Sequence, residues 1–323
     1  DDTVQKSLNW GIIGCGDVVF NKSGPSILQA DRSRILGVMR REPAKARPFA
    51  EAHSIPLCTG DADAILRHPD VDIVYVATPP VAHKAHVLAA ARVGKHVLVE
   101  KPMGMSAAED REMIDACDAA GVELFVAYYR RFHPHVAKMR ELVAGGRIGR
   151  PVFGQIDFAT PWRPSDWRVQ PEISGGGLFV DVVSHRLDVM VSLLGDPVDV
   201  HGVRNTFNPD VGVEDAVSVA IRFADGALAA VSADFVSGRS ADGFRVVGIR
   251  GVIETDHLDG HVFTLKADGE SERFEFDPFP APHLGLIRHI ERVLAGEAEN
   301  ASSGRAGMQT DRIIDNALHR LEF

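Results

Sequence analysis

The chain has 323 residues, of which 45% are hydrophobic and 25% are charged. This length predicts two domains that each bury a core, and the apolar content excludes an intrinsically disordered chain. The excess of 45 Asp and Glu over 35 Lys and Arg disfavours a nucleic-acid partner, because binding to a phosphate backbone requires clustered cations. We therefore expect a small-molecule ligand.

Cysteine usage and hydropathy indicate the compartment. The chain has three scattered cysteines, Cys15, Cys58 and Cys117, which are too few for a disulfide framework or a zinc site. We accordingly predict no metal and a reducing environment. The amino terminus lacks a basic stretch followed by an apolar one, and there is no apolar run of roughly 18 residues. We therefore expect a cytoplasmic protein without a membrane partner.

The first 128 residues alternate between short apolar runs and helical patterns, which is typical of βαβ units. The predicted strands are Trp10–Ile13, Ile35–Arg40, Ile73–Ala77, His96–Val99 and Leu124–Ala127. The predicted helices are Pro25–Ala30, Pro43–His53, Asp61–His68, Val81–Val93 and Ala107–Ala120. The pattern predicts an α/β domain over residues 1–128, with a doubly wound, mostly parallel sheet of the Rossmann type.

The alternation stops near residue 129, and strands then dominate. Predicted helices cover Val136–Ala144, Leu178–Leu194, a stretch from about 281 to 294 and one from about 305 to 321. Predicted strands are Pro151–Phe158, Val198–Phe207, Ala216–Phe223, Ala227–Phe235, Phe244–Thr255, Val262–Lys266 and Arg273–Phe276. This order predicts an α+β domain over 129–323 with an open, mainly antiparallel sheet. Its last helix either stays with this domain or packs back on the first.

A glycine turn follows the first predicted strand. Gly14 and Gly16 lie where a dinucleotide pyrophosphate meets backbone N–H groups and the start of a helix. We predict cofactor contacts from both glycines and from the next two residues, Asp17 and Val18. Val19 replaces the third glycine of the usual pattern, so a simple tight turn is the alternative.

The end of the second strand distinguishes between nicotinamide cofactors. An acidic residue there would bind the ribose 2′-hydroxyl, whereas this chain has Arg40 and Arg41. A guanidinium group binds a 2′-phosphate in a bidentate way. The sequence therefore favours NADP, and Glu42, which is able to reach a ribose, leaves NAD open.

Glu100 and Lys101 lie at the carboxyl end of a predicted buried strand, where open α/β sheets bind ligands. A lysine that is partly desolvated has a lowered pKa and donates to a substrate oxygen. We predict both as cofactor contacts, and Lys101 also as a catalytic residue. The alternative is a salt bridge between the two.

A glycine triplet at 175–177 precedes a strongly periodic helix. On this helix Asp181, His185 and Asp188 share one face. A carboxylate one turn from a histidine holds one tautomer of the ring, which then transfers protons near neutral pH. The alternative is a helix N-terminal charge beside a core histidine. The triplet indicates a close approach to the backbone.

The loop before the triplet contains two Trp and Arg pairs, Trp162 with Arg163 and Trp167 with Arg168. These side chains are suited to close over a polar, ring-shaped substrate by stacking and charged hydrogen bonds. Anchoring between domains is the alternative explanation for the tryptophans.

The chain resembles the Gfo/Idh/MocA oxidoreductase family over nearly its whole length. The resemblance rests on the segments above, on Ala77-Thr78-Pro79-Pro80 followed by His83, and on the stretch from Tyr128 to Pro134. The resemblance implies a Rossmann domain joined to an α+β domain, an active site between them over the nicotinamide, and a homodimer or homotetramer formed through the carboxyl-terminal sheet.

The resemblance also implies roles for individual residues. Lys101, Asp181 and His185 correspond to the family's catalytic lysine, aspartate and histidine. Further cofactor contacts correspond to Thr78, Pro79 and His83. The substrate pocket corresponds to Tyr129 and Arg130, and we add Trp162, Arg163, Trp167, Asp181 and His185 to it.

The sequence thus predicts an NAD(P)-dependent enzyme that interconverts a secondary alcohol and a ketone on a sugar, cyclitol or related diol by hydride transfer. One alternative is an NAD-dependent glycosidase that oxidises its sugar transiently. The other is a regulatory protein that senses NADP(H) without chemistry, and the presence of both Lys101 and His185 disfavours it.

Overall fold

The computed structural model describes residues 7–161 and 166–319. They form two compact units. The first contains the chain up to Tyr129 together with Pro280–Met308, and the second contains Arg130–Phe279 together with the chain from Gln309 onward. Within the described residues, no helix combines the length and the apolar character needed to cross a membrane.

The first unit contains a six-stranded sheet in which every neighbouring pair is parallel. Its strands are β1 (Leu8–Ile13), β2 (Ser33–Met39), β3 (Leu57–Thr59), β4 (Ile73–Val76), β5 (His96–Val99) and β6 (Leu124–Val126). Their order across the sheet is β3-β2-β1-β4-β5-β6. This is the doubly wound order of a dinucleotide-binding fold, so the predicted fold class is confirmed for this unit.

The helices of this unit are α1 (Gly24–Gln29), α2 (Arg47–Ala52), α3 (Ala62–Leu66), α4 (His83–Arg92) and α5 (Ala107–Ala120). A π-helical turn, Val19–Ser23, precedes α1. Local signals set the ends of α5, because the Ser106 side chain caps its first turn and Gly121 ends it in the left-handed conformation at φ +65°. The sequence analysis missed β3, since three residues are too few to show a period.

The second unit contains an eight-stranded sheet. Its strands are β7 (Pro151–Ala159), β8 (Pro197–Asn205), β9 (Ala216–Phe223), β10 (Leu228–Asp234), β11 (Ala241–Gly248), β12 (Gly251–Thr255), β13 (Val262–Ala267) and β14 (Glu270–Glu275). Their order is β14-β13-β12-β11-β7-β10-β9-β8, and only the β7–β10 pair among them is parallel. The open, mainly antiparallel sheet is thus confirmed. The segment Phe244–Thr255, predicted as one strand, covers parts of β11 and β12, which form a hairpin. Both strands are apolar, so in the sequence they look like one continuous apolar run.

The helices of the second unit include α6 (Pro134–Ala144), α7 (Pro171–Ser174) and α8 (Ser184–Leu194). Every residue of α8 except Ser192 is buried. This helix lies on the sheet at Gly154, where an added Cβ would be 2.5 Å from the Met190 sulfur. The predicted helix Leu178–Leu194 is not α-helical throughout. Its residues Phe179–Val183 form a π-helical turn that precedes α8.

The last two helices are α9 (Leu284–Leu294) and α10 (Gly304–His319). The domain predicted over residues 129–323 included α9, which lies instead in the first compact unit. Hydrogen bonds account for this placement. Glu291 of α9 accepts one from the Ser33 hydroxyl at 2.6 Å. After α9, the Ser302 hydroxyl donates to the Val126 carbonyl at 2.7 Å, and the Val126 N–H donates to the Ser302 carbonyl at 2.8 Å. These contacts are distant in sequence, so periodicity did not reveal them.

Candidate active site

The turn after β1 joins the ends of three neighbouring strands. Gly14 adopts φ +96°, and a Cβ on it would lie 2.6 Å from the backbone at Ala77 and Thr78, which follow β4. The N–H groups of Gly14 and Cys15 donate to the carbonyl of Met39 at the end of β2. Only glycine fits this position, so the first glycine of the motif holds the strand ends together.

The second glycine of the motif has a different environment. A Cβ on Gly16 would meet nothing nearer than the Gly14 carbonyl oxygen at 3.8 Å, and helical hydrogen bonding starts there, since Phe20 N–H donates to the Gly16 carbonyl. The Thr78 hydroxyl is buried and has no hydrogen-bond partner among the described residues. A helix start with room for a Cβ at Gly16, together with the unsatisfied hydroxyl of Thr78, fits a dinucleotide phosphate.

Arg40 lies against the glycine turn. Its Nη1 donates to the Cys15 carbonyl at 3.3 Å, and its guanidinium lies 5.8 Å from the centroid of the Phe20 ring. Arg41 is exposed. The exposed carboxylate of Glu42 accepts from Lys45 at 2.7 Å. The group beside the turn is therefore the Arg40 guanidinium and not the Glu42 carboxylate. A guanidinium at this place fits a cofactor that carries a 2′-phosphate.

Glu100 anchors the loop that carries Lys101. Its buried carboxylate accepts from the Tyr75 hydroxyl at 2.5 Å and from the Lys101 backbone N–H at 3.3 Å, and it lies 3.5 Å from His283 Nε2. Burial opposes ionisation, but His283, Lys101 and Tyr75 together lower the pKa of Glu100 to about 2. The carboxylate thus stays charged and holds the backbone of the lysine.

His83 connects this loop to the end of β4. Its ring is fully buried, with Nδ1 2.9 Å from the Pro102 carbonyl oxygen and Nε2 2.8 Å from that of Thr78. The sequence analysis predicted a cofactor contact here. The structure places the backbone carbonyls of Thr78 and Pro102 beside the two ring nitrogens of His83, and a direct cofactor contact stays a prediction.

In the second unit, the chain itself fills the space beside the glycine triplet. Gly177 N–H donates to Glu214 Oε1 at 2.8 Å, and a Cβ on Gly177 would lie 2.5 Å from the Glu214 carbonyl oxygen. A Cβ on Gly176, at φ +154°, would lie 2.4 Å from Val180. Burial raises the pKa of Glu214 to about 7. The close approach predicted for this backbone is made by a buried glutamate.

Asp181 lies in the π-helical turn and His185 in the first turn of α8. Asp181 is half-buried and accepts a hydrogen bond from Arg168 Nε at 3.2 Å, while His185 is buried. Arg168 also contacts the face of Trp167, 4.6 Å from the ring centroid. Of the tryptophans and arginines predicted to line the substrate pocket, Trp162 and Arg163 lie outside the described residues.

Tyr129, Arg130 and Asp188 each contact another side chain. Tyr129 packs on His283 with ring centroids 4.2 Å apart. Arg130 makes a bidentate ion pair with Asp259, at 2.7 and 2.8 Å. Asp188 is fully buried and pairs with Arg131. Asp188 therefore has a structural role, and substrate contact by Tyr129 and Arg130 stays a prediction.

Lys101 lies in the first compact unit, whereas Asp181 and His185 lie in the second. Their predicted convergence on one substrate stays a prediction. The sequence analysis missed Glu214, His283 and Asp259, which hold the predicted residues in place. Their partners are distant along the chain, and none of them belongs to a recognisable motif.

Comparisons with known proteins match both halves of the chain. Residues 8–128 match the GFO/IDH/MocA model described as an oxidoreductase family with an NAD-binding Rossmann fold. Residues 136–254 match the model of the GFO/IDH/MocA C-terminal domain.

Individual relatives align over most of their length. Oxidoreductase P35 of Formosa agariphila is 30% identical, over 95% of this chain and 97% of the relative. The 1,5-anhydro-D-fructose reductase of Ensifer adhaerens is 29% identical over 93% and 92%, and D-xylose 1-dehydrogenase (NADP(+)) 2 of Haloferax volcanii is 31% identical over 90% of each. The solved structure of aldose-aldose oxidoreductase from Caulobacter crescentus, complexed with glycerol, has a TM-score of 0.87 and 29% identity, and the match covers 96% of each chain.

Proposed function

This chain belongs to the GFO/IDH/MocA family of oxidoreductases, and we propose that it interconverts a secondary alcohol and a ketone on a sugar, cyclitol or related diol with NADP. Both matching models and the relatives named as reductases and dehydrogenases support an oxidoreductase with a nicotinamide dinucleotide. The sugar-like substrate class rests on the names of the anhydrofructose reductase, the xylose dehydrogenase and the aldose-aldose oxidoreductase.

The observation that carries the proposal is the arrangement at the carboxyl ends of β1, β4 and β5. Open space at Gly16, the buried unsatisfied hydroxyl of Thr78 and the anchored loop of Lys101 all belong to the first compact unit. The carboxyl ends of parallel strands are where doubly wound folds bind dinucleotides. A lysine on the loop after β5 is thereby close to the site predicted for the cofactor.

A bound nicotinamide supplies the hydride acceptor for alcohol oxidation and the hydride donor for ketone reduction. His185 takes the hydroxyl proton from the alcohol and returns it to the ketone. Asp181 orients and polarises that imidazole. Lys101 donates to the substrate oxygen and stabilises the negative charge that develops there.

Neighbouring residues hold Lys101 and Asp181 in position for these roles. Glu100 accepts from the Lys101 backbone, and His83 bonds to the carbonyl of the following residue, Pro102. On the second unit, Arg168 donates to Asp181 and restricts its carboxylate. Catalytic groups positioned by such contacts lose less conformational freedom on reaching the transition state.

We assign NADP over NAD because of Arg40. Its guanidinium lies on the glycine turn, where a 2′-phosphate adds a charged acceptor. Glu42, the residue able to bind a free ribose, is paired with Lys45. The relative from Haloferax volcanii, whose name includes NADP, supports the same choice.

A panel of aldoses, anhydro sugars, inositols and dihydrodiols, assayed with NADP⁺ and NAD⁺ by absorbance at the nicotinamide band, tests the proposal. We expect reduction of NADP⁺ by at least one sugar or polyol. Cleavage of a glycoside without net cofactor reduction would instead establish the transient-oxidation alternative. Tight binding of NADP(H) with no turnover across the panel would favour the sensor.

We further propose a homodimer or homotetramer formed through the open sheet of the second unit. On this sheet, Phe153 and Leu228 are exposed and directly opposite each other on β7 and β10. Adjacent apolar side chains on an exposed sheet face favour association. Light scattering coupled to size exclusion measures the subunit number, and a monomeric mass would contradict this assignment.

A further inference from the structure

Three histidines of the second unit cluster at the start of α6. His133 precedes the helix, His135 lies in its first turn, and His261 follows the short 3-10 turn Leu258–Gly260. One ring nitrogen from each lies within 4.8 Å of those of the other two. His133 and His135 are buried, and His261 is half-buried.

One ring nitrogen of His135 has no hydrogen-bond partner among the described residues. The residue is 1% exposed, and this nitrogen, Nδ1, is buried. The ring bonds to the Leu258 backbone carbonyl, so Nε2 is the donor and carries the hydrogen. That bond leaves the unprotonated lone pair on Nδ1, as in metal sites where a carbonyl fixes the tautomer of a ligand histidine.

His261 is held in an uncommon backbone conformation. It adopts φ +58°, in the left-handed region that side chains other than glycine rarely occupy. Its Nδ1 is also buried without a hydrogen-bond partner in the described part of the chain. A residue in this conformation, with a buried unsatisfied nitrogen and two further imidazoles beside it, is the kind of outlier that marks a functional site.

The ring positions agree with a shared central ion. Ring centroids are separated by 5.7 Å for His133 and His135, 6.1 Å for His133 and His261, and 5.1 Å for His135 and His261. A tetrahedral ion with metal–nitrogen bonds of about 2.0–2.1 Å places ring centroids about 5 Å apart and ligand nitrogens about 3.4 Å apart. Small side-chain rotations therefore suffice to close the cluster on an ion.

We propose that His133, His135 and His261 bind one divalent transition-metal ion of the zinc type. The all-imidazole donor set suits zinc and disfavours calcium and magnesium, which take oxygen ligands. Three protein ligands leave the fourth position to water on the half-exposed side of His261. The ion joins the start of α6 to the segment that carries Asp259, the ion-pair partner of Arg130.

Metal binding to the chelator-treated full chain is the direct test. Zn²⁺ is titrated calorimetrically, and Co²⁺ is titrated by its visible spectrum, which is intense when the ion is tetrahedral. We expect one high-affinity equivalent per chain and a rise of several degrees in Tm on adding zinc, because an ion that binds only the native state stabilises it.

Three variants make the test specific. His261→Asn retains a residue that tolerates the left-handed conformation, and His135→Ala removes the buried ligand. We expect each to weaken zinc binding by at least about 100-fold, as loss of a ligand exceeds the loss seen for outer-sphere partners. His201→Ala removes an exposed histidine of the same unit and should change nothing.

The result that overturns the proposal is equally plain. If the wild-type chain binds no zinc, or if His261→Asn binds it as tightly as the wild type, the three rings form only a packed aromatic cluster. His261→Asn decides the matter even if His135→Ala fails to fold. None of these readouts depends on the oxidoreductase activity.

Discussion

The two glycine-rich turns of this molecule resemble each other locally but differ in what surrounds them. Each leads into a helix whose first part is a π-helical turn. In the first unit, a Cβ on Gly16 would meet nothing nearer than 3.8 Å, and the Thr78 hydroxyl has no hydrogen-bond partner within the part of the chain that the structure describes. In the second unit, Gly177 faces Glu214, which accepts its N–H and fills the space beside it.

The difference shows that glycine alone does not identify a ligand site. Glycine marks a close approach to the backbone, and the approaching group is either a ligand or another part of the chain. Open space and an unsatisfied polar atom point to a ligand in the first case. In the second case the glutamate is already there, so the triplet supports the helix that carries Asp181 and His185.

The largest expected effect is a loss of turnover in each unit without a loss of cofactor binding. Lys101→Met and His185→Ala should each lower kcat/KM by about 10²–10⁴-fold, because each removes a group that we propose to act on the substrate oxygen or its proton. NADP(H) affinity, measured by fluorescence titration, should change little. Near-normal turnover in both variants would remove the proposed mechanism.

Glu214→Gln tests whether the second turn is built on a buried carboxyl group. The native-state pKa is raised from its usual 4.5 to about 7, so the folded state binds the proton more tightly. The associated stability is fully present below pH 4.5 and is lost as the pH rises through about 7, by up to about 3 kcal/mol.

The amide retains the acceptor for Gly177 and cannot ionise. The free energy of unfolding of Glu214→Gln, relative to that of the wild type, should therefore be higher at pH 8 than it is at pH 5. Urea denaturation at both pH values measures this, and a difference independent of pH would contradict the raised pKa.

Two matched glycine substitutions compare the turns directly. Gly177→Ala should destabilise the protein by about 1–3 kcal/mol, because its methyl group overlaps the Glu214 carbonyl oxygen. Gly16→Ala has room for its methyl group, so stability should change by no more than about 0.5 kcal/mol. Thermal unfolding with cofactor titration measures both properties.

The same methyl group on residue 16 would occupy the space in which we propose that a dinucleotide phosphate binds. NADP⁺ affinity should therefore fall by tenfold or more in Gly16→Ala and remain normal in folded Gly177→Ala. The opposite pattern would reverse the roles assigned to the two turns.

The last prediction concerns cofactor choice. Arg40→Ala should weaken NADP⁺ binding by about 10–100-fold, the value of a hydrogen bond to a charged group, while NAD⁺ binding stays nearly constant. Arg41→Ala tests whether this exposed neighbour of Arg40 contributes to the same choice. Equal losses for both cofactors in Arg40→Ala would mean that the guanidinium supports the glycine turn and does not contact a 2′-phosphate.

Much of the architecture was predictable because it depends on local patterns. The strand His96–Val99, the strand Ala216–Phe223 and the helix Ala107–Ala120 were predicted with the bounds observed. Each shows a clear hydrophobic period or a capping signal such as Ser106. The strand Leu57–Thr59 is too short for a period, and the β11–β12 hairpin reads as one apolar run.

The sequence by itself determined most of the order of elements, the family and the candidate residues, because periodicity and short motifs act over a few neighbouring positions. Only the tertiary structure decided that α9 joins the first unit, that Arg168 holds Asp181, and that His261 lies beside two histidines more than a hundred residues earlier. Such contacts depend on which surfaces pack together when apolar area is buried. No local pattern in the chain encodes their partners.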